Sequence, residues 1–279
     1  MPPLLIRAAL LSTLLVAAPA CGSPVTDRIY PAPQEALTLA GLPSGSKFLP
    51  VTTRDGVKLT GILAPGRADR PLLLVFHGNA SSATTALRWL GPLTEDGYRI
   101  LSAEYRGYSG NAGKPSEAGL VQDAAAFLAA ARIEAGGQPV WVVGHSLGGG
   151  VALALSRSEK LDALVTIGTF TRIRDMAPTL ARALVPDEFR NADAARALDE
   201  PWYLIHGSRD DVVPVTHGKA LFDLAAGKDG RAFVIRDADH RPAVRDLRSI
   251  LAAIAASQAK QPLPPLSANV MTSSFAATK

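Results

Sequence analysis

Gly144-His145-Ser146-Leu147-Gly148 sets a hydroxyl between glycines in a G-x-S-x-G pattern. The apolar run Val140 to Val143 precedes it and a helix-forming run follows, the strand-turn-helix setting this pattern requires. A serine on so sharp a turn takes strained backbone angles, and neighbours without Cβ let the turn close. The turn lifts Oγ above the sheet edge. It also aims the N-terminus of the next helix at the reaction centre, where its partial positive charge favours an oxyanion. A merely glycine-rich turn is the plainer alternative, and the flanking strand and helix argue against it. The chemistry implied is nucleophilic attack on an acyl carbon.

Such a serine needs a base, because its hydroxyl is a weak nucleophile at its free pKa. The chain has five histidines: His77, His145, His206, His217 and His240. His145 abuts the serine, so its side chain is expected to point elsewhere. His206 ends a strand, and His217 opens a helix at the surface. His77 precedes the nucleophile in the chain and suits a loop-bracing role. His240, between the last strand and the last helix, is the choice for the base. Asp210 lies first after the turn in Gly207-Ser208-Arg209-Asp210-Asp211-Val212-Val213-Pro214. It is the preferred acid, with Asp211 its rival and Asp239 a weaker one. The chain order Ser146, Asp210, His240 then fits a serine-carboxylate-histidine triad. The backbone N–H groups of Asn79 and Leu147 are the expected oxyanion donors. No H-E-x-x-H or comparable ligand spacing occurs, and the chemistry asks for neither metal nor cofactor.

These residues need a scaffold that gathers strand ends. Phe48 to Thr53 and Val57 to Leu63 flank Arg54-Asp55-Gly56 and predict an opening antiparallel hairpin. Leu72 to Phe76 is continuously apolar, as a strand buried on both faces should be. Strands are expected again at Arg99–Ala103, Val140–Val143, Ala163–Ile167, Trp202–Ile205 and Ala232–Ile235. Helices are expected over Thr84–Asp96, Glu117–Glu134, Leu147–Ser158 and Arg241–Ala256. This alternation predicts an α/β fold with a mostly parallel sheet flanked by helices and the site at its carboxyl edge. The stretch 171–198 reads as a short cap with Ile173, Met176, Leu180, Leu184 and Val185 on its apolar side.

The chain is 279 residues, 47% hydrophobic and 19% charged, with a net charge of +4. That balance excludes a disordered chain. Its basic residues are dispersed without blocks, so no nucleic-acid partner is expected. Residues 1–20 combine Arg7, a short apolar run and Ala18-Pro19-Ala20, the pattern of a secretory signal peptide. The sole cysteine, Cys21, follows at once, which suits lipidation and membrane anchoring of an exported bacterial lipoprotein. Plain cleavage to a periplasmic or secreted protein is the alternative. The Pro/Ala-rich stretch 21–46 reads as a tether, 47–259 as the folded domain, and 260–279 as a flexible tail.

Several segments together resemble the serine α/β-hydrolases, in particular the compact esterase-like branch that includes α/β-hydrolase-domain depalmitoylases. They are Phe76-His77-Gly78-Asn79-Ala80, Glu104-Tyr105-Arg106-Gly107-Tyr108, Lys114 to Gly119, Gly144 to Gly150, Phe170-Thr171 with Asp175-Met176, Phe189-Arg190-Asn191 and Gly207 to Pro214. Two departures stand out: Tyr108 continues into Ser109-Gly110-Asn111, and His240 precedes Arg241-Pro242. The resemblance implies hydrolysis of a carboxylic ester or thioester, and the short cap suits small-to-medium acyl substrates. A non-catalytic binding module on the same fold, or a peptidase or amidase, are the alternatives.

Overall fold

The computed structural model describes residues 30–176, 182 and 185–275. Its described residues build one nine-stranded sheet in the order β1-β2-β4-β3-β5-β6-β7-β8-β9. The strands are β1 (Lys47–Thr52), β2 (Lys58–Ala64), β3 (Leu72–Phe76), β4 (Arg99–Ala103), β5 (Val140–His145), β6 (Ala163–Ile167), β7 (Trp202–Gly207), β8 (Gly230–Ile235) and β9 (Val270–Ser274). Strands β3 to β8 run parallel, while β1, β2 and β9 pair antiparallel with their neighbours. Strands β3, β5 and β6 are buried along their whole length because helices cover both faces.

One face is covered by α1 (Ala83–Leu90) and α6 (Val244–Gln258), which pack with Leu73, Val75, Val143 and Ile205. The other is covered by α2 (Glu117–Ala135), α3 (Leu147–Leu155), α4 (Asn191–Ala197) and α5 (Val215–Leu224), packing with Leu72, Leu74, Phe76 and Leu204. The strand order departs from chain order around β3, with β4 on one side and β5 on the other. A crevice opens at such a switch point.

Local chemistry sets the helix ends. Ser82 caps α1 by accepting the Thr85 N–H, and Ser116 caps α2 by accepting the Gly119 N–H. The helix expected over Thr84–Asp96 stops at Leu90 and continues as a 3-10 turn over Gly91–Asp96. Pro92 brings no N–H to continue the α-helical ladder.

Both ends of the chain differ from expectation. The tail 260–279 contains β9, which pairs with the edge of β8 from Arg231–Ser274 to Ile235–Val270. Phe275 follows it into the core, its ring 5.5 Å from Trp202 and from Phe222. Unpaired edge groups on β8 and an aromatic anchor thus turn polar-looking sequence into structure. The tether is likewise packed down from Tyr30 onward. Tyr30 is buried, and its hydroxyl donates to Asp187 Oδ2 at 2.5 Å. Ser109 N–H donates to Pro33 O, and Thr38 N–H to Thr84 Oγ1. Leu37, Leu39 and Leu42 pack against the α1–α6 core, which is what holds this segment to the domain. Residues 1–20 and Cys21, together with Leu180 and Leu184 of the cap, lie outside the described residues. Of the cap, a 3-10 turn at Ile173–Met176 and α4 are described.

Candidate active site

Ser146 joins β5 to α3 with φ +54° and ψ −115°, a conformation L-residues rarely adopt. Its N–H donates to Ile167 O at 2.9 Å, and its carbonyl accepts the Gly149 N–H at 3.0 Å. Those bonds fix the strained turn between two neighbouring strands. The flanking glycines are required by space: a Cβ at Gly144 would lie 2.3 Å from Gly148 O, and one at Gly148 would lie 2.0 Å from Phe76 O. The elbow is therefore pressed against the end of β3, next to the loop that carries Asn79. Leu147 is the first residue of α3, where a helical N–H has no acceptor within its own helix.

The loops after β7 and β8 bring the other two residues together. His240 Nδ1 lies 2.8 Å from Asp210 Oδ2. Asp210 Oδ1 accepts the N–H groups of Val212 and Val213 at 3.0 and 2.7 Å. Burial opposes ionisation of Asp210. Hydrogen bonds from His206, His240 and the Val213 N–H outweigh it and hold the carboxyl well below its usual range. An ionised carboxylate only accepts, so the proton between the two residues sits on His240 Nδ1 and leaves Nε2 as the acceptor. Space for the pair is left by Gly168 after β6 (φ +56°), where a Cβ would lie 3.0 Å from both Asp210 Oδ2 and His240 Nδ1. Asp211 is exposed, and Asp239 accepts the Arg241 N–H through its own side chain.

His77 is buried with its Nε2 2.7 Å from Glu104 Oε1, and Tyr105 hydroxyl donates to its carbonyl. It braces the β3 loop, as its place in the chain suggested. Tyr108 hydroxyl donates to Asn79 Oδ1 at 3.2 Å, and Arg106 pairs with Asp123 and Asp55. His206 Nε2 lies 2.8 Å from Val213 O and 3.4 Å from Asp210 Oδ2.

Two histidines sit differently from their sequence reading. His217 is half-buried rather than at the surface, with Nδ1 2.9 Å from Thr171 Oγ1. Thr171, at the start of the cap, meets it near the start of α5. His145 does not point away: its ring centroid lies 4.6 Å from that of His240, and its Nε2 lies 2.9 Å from His240 O. No spacing in the chain signals this contact, because the loop of His240 arrives from a strand almost a hundred residues later.

A family model described as serine aminopeptidase, S33, matches residues 67–191. An uncharacterised Mycobacterium tuberculosis protein, Rv2307c, is 32% identical over 229 residues, covering 76% of this chain and 81% of its own length. This chain belongs to the serine α/β-hydrolases. The lysophosphatidylserine lipase ABHD12 of Xenopus tropicalis is 30% identical over 184 residues, covering 56% of this chain. The match takes in 47% of that relative, so the chain spans about half its length. Among solved structures, the esterase Pf2001 of Pyrococcus furiosus superposes with a TM-score of 0.62 at 19% identity, over 84% of this chain and 98% of that one. At that identity the likeness concerns the fold. The chain has the α/β-hydrolase fold.

Proposed function

We propose that this hydrolase cleaves a carboxylic ester or thioester through an acyl-enzyme, with Ser146 as nucleophile, His240 as base and Asp210 as its orienting acid. The observation that carries this reading is the 2.8 Å contact of His240 Nδ1 with the buried Asp210, formed at the same sheet edge as the strained Ser146. His240 Nε2 takes the Ser146 hydroxyl proton as Oγ bonds to the acyl carbon. The carbonyl oxygen becomes an oxyanion, and the Asn79 and Leu147 N–H groups donate to it. On collapse, His240 protonates the departing alcohol or thiol. A water then gives its proton to His240 and attacks the acyl-enzyme, and the carboxylic acid leaves as Ser146 recovers its proton. The ester class finds support in a relative named as a lysophosphatidylserine lipase. The stretch 171–198 that the sequence assigns to the cap is short, which suits small-to-medium acyl groups. We also propose export, with lipidation at Cys21 anchoring the domain to a membrane.

A panel of p-nitrophenyl esters and acyl thioesters of rising chain length, with an aminoacyl anilide beside them, tests the class. The expected result is turnover of esters or thioesters with a preference for short and medium chains. Turnover of the anilide alone contradicts the reading and points to an amidase.

A further inference from the structure

We propose that His145 is a positioning residue, which together with Trp89 ties the loop carrying His240 to the nucleophile elbow. The proposal rests on the triad reading above. His240 sits between β8 and α6 in a loop without regular structure. Its Nδ1 contact with Asp210 orients the ring but leaves the main chain to be held by something else. Two side-chain donors hold it. His145 Nε2 lies 2.9 Å from His240 O, and Trp89 Nε1 donates to Pro242 O at 2.9 Å. Between these two, the Arg241 guanidinium stands 5.5 Å from the centroid of the Trp89 ring. Three consecutive residues of the loop are thus each attached to His145 or Trp89.

The holders are themselves fixed. His145 ends β5 and is the residue before Ser146, so a displacement of the elbow moves it too. Its ring meets the edge of Trp89, centroids 5.1 Å apart, and its Nδ1 faces Gly78, where a Cβ would lie 2.9 Å away. Because its partner is a carbonyl, Nε2 must carry the proton. Burial, with the nearby His240 adding to it, lowers the His145 pKa to about 3, so the ring remains a neutral single donor through the range of ordinary assays. The base and the nucleophile therefore share one rigid connection, and a small misplacement of reacting groups costs on the order of 10²-fold in rate.

Three variants test this: His145→Phe keeps a ring without the donor, His145→Gln keeps a donor at similar reach, and Trp89→Phe removes the second tie without touching the elbow. Each is assayed for kcat and KM on p-nitrophenyl butyrate and for its thermal midpoint, with His240→Ala alongside. His145→Phe is expected to lower kcat by ~10–100-fold with KM within ~2-fold. His145→Gln should recover most of that loss, and Trp89→Phe should show a smaller loss in kcat alone. A folded His145→Phe with unchanged kcat overturns the proposal, as does a folded His145→Gln that is as impaired as His145→Phe. If His145→Phe does not fold, unchanged kcat in Trp89→Phe overturns it, and reduced kcat there with recovery in His145→Gln upholds it. An active His240→Ala enzyme overturns the triad reading itself, whereas an inactive one beside a fully active His145→Phe overturns only the positioning role.

Discussion

At the scale of single residues, the choice between adjacent carboxylates is the sharpest one. Asp210→Asn is expected to leave the fold intact and lower kcat by up to ~10⁴-fold, because an amide in place of the carboxylate no longer fixes the imidazole tautomer. Asp211→Asn, on an exposed side chain, should change little. Steady-state kinetics on one ester separates them, and the reverse pattern contradicts the assignment. His145 carries a pH signature. Its pKa is depressed in the folded state, so the unfolded chain binds the extra proton between its ordinary value of about 6.5 and about 3. Stability from this residue is fully present above about pH 6.5 and is lost as pH falls toward 3. Thermal melts across that window should fall less steeply in His145→Gln than in the wild type, and parallel curves would count against the burial argument. The placing of Ser146, Asp210 and His240 at one sheet edge is legible because strand ends and chain order point to it. The packing of His145 on His240 is not, since it joins two loops that only the folded sheet brings together.

At the scale of elements, the sheet interior was readable and its margins were not. The central strands β3, β5 and β6 are mostly apolar, and their burial on both faces follows from that composition. β9 hides because it is an edge strand: Val270 alone is buried within it, and Met271, Ser273 and Ser274 are exposed. Its anchor is the following residue. Phe275→Ala removes a buried ring from the Trp202–Phe222 cluster and should cost about 3–5 kcal/mol in urea unfolding. A loss below about 1 kcal/mol would mean that β9 contributes little to the fold. Residues 30–46 escaped for a related reason. Prolines and small residues read as a linker, yet Tyr30 joins the core on one face of the sheet while Leu37, Leu39 and Leu42 pack against the core on the other, and no periodicity records that.

For the whole molecule, six parallel strands direct their carboxyl ends to one edge, and every residue assigned to the chemistry lies there. Cys21→Ser is expected to shift the protein from the membrane to the soluble fraction with unchanged specific activity. An unmodified Cys21 on soluble wild-type protein, seen by mass spectrometry of the mature N-terminus, contradicts the anchor and leaves the hydrolase chemistry standing. The account depends most on Ser146 as the nucleophile. Labelling with a fluorophosphonate, followed by peptide mass spectrometry, tests this directly. The wild type should carry one phosphonyl group on the Ser146 peptide, and Ser146→Ala should carry none. A label on another residue, or one that persists in Ser146→Ala, contradicts the account.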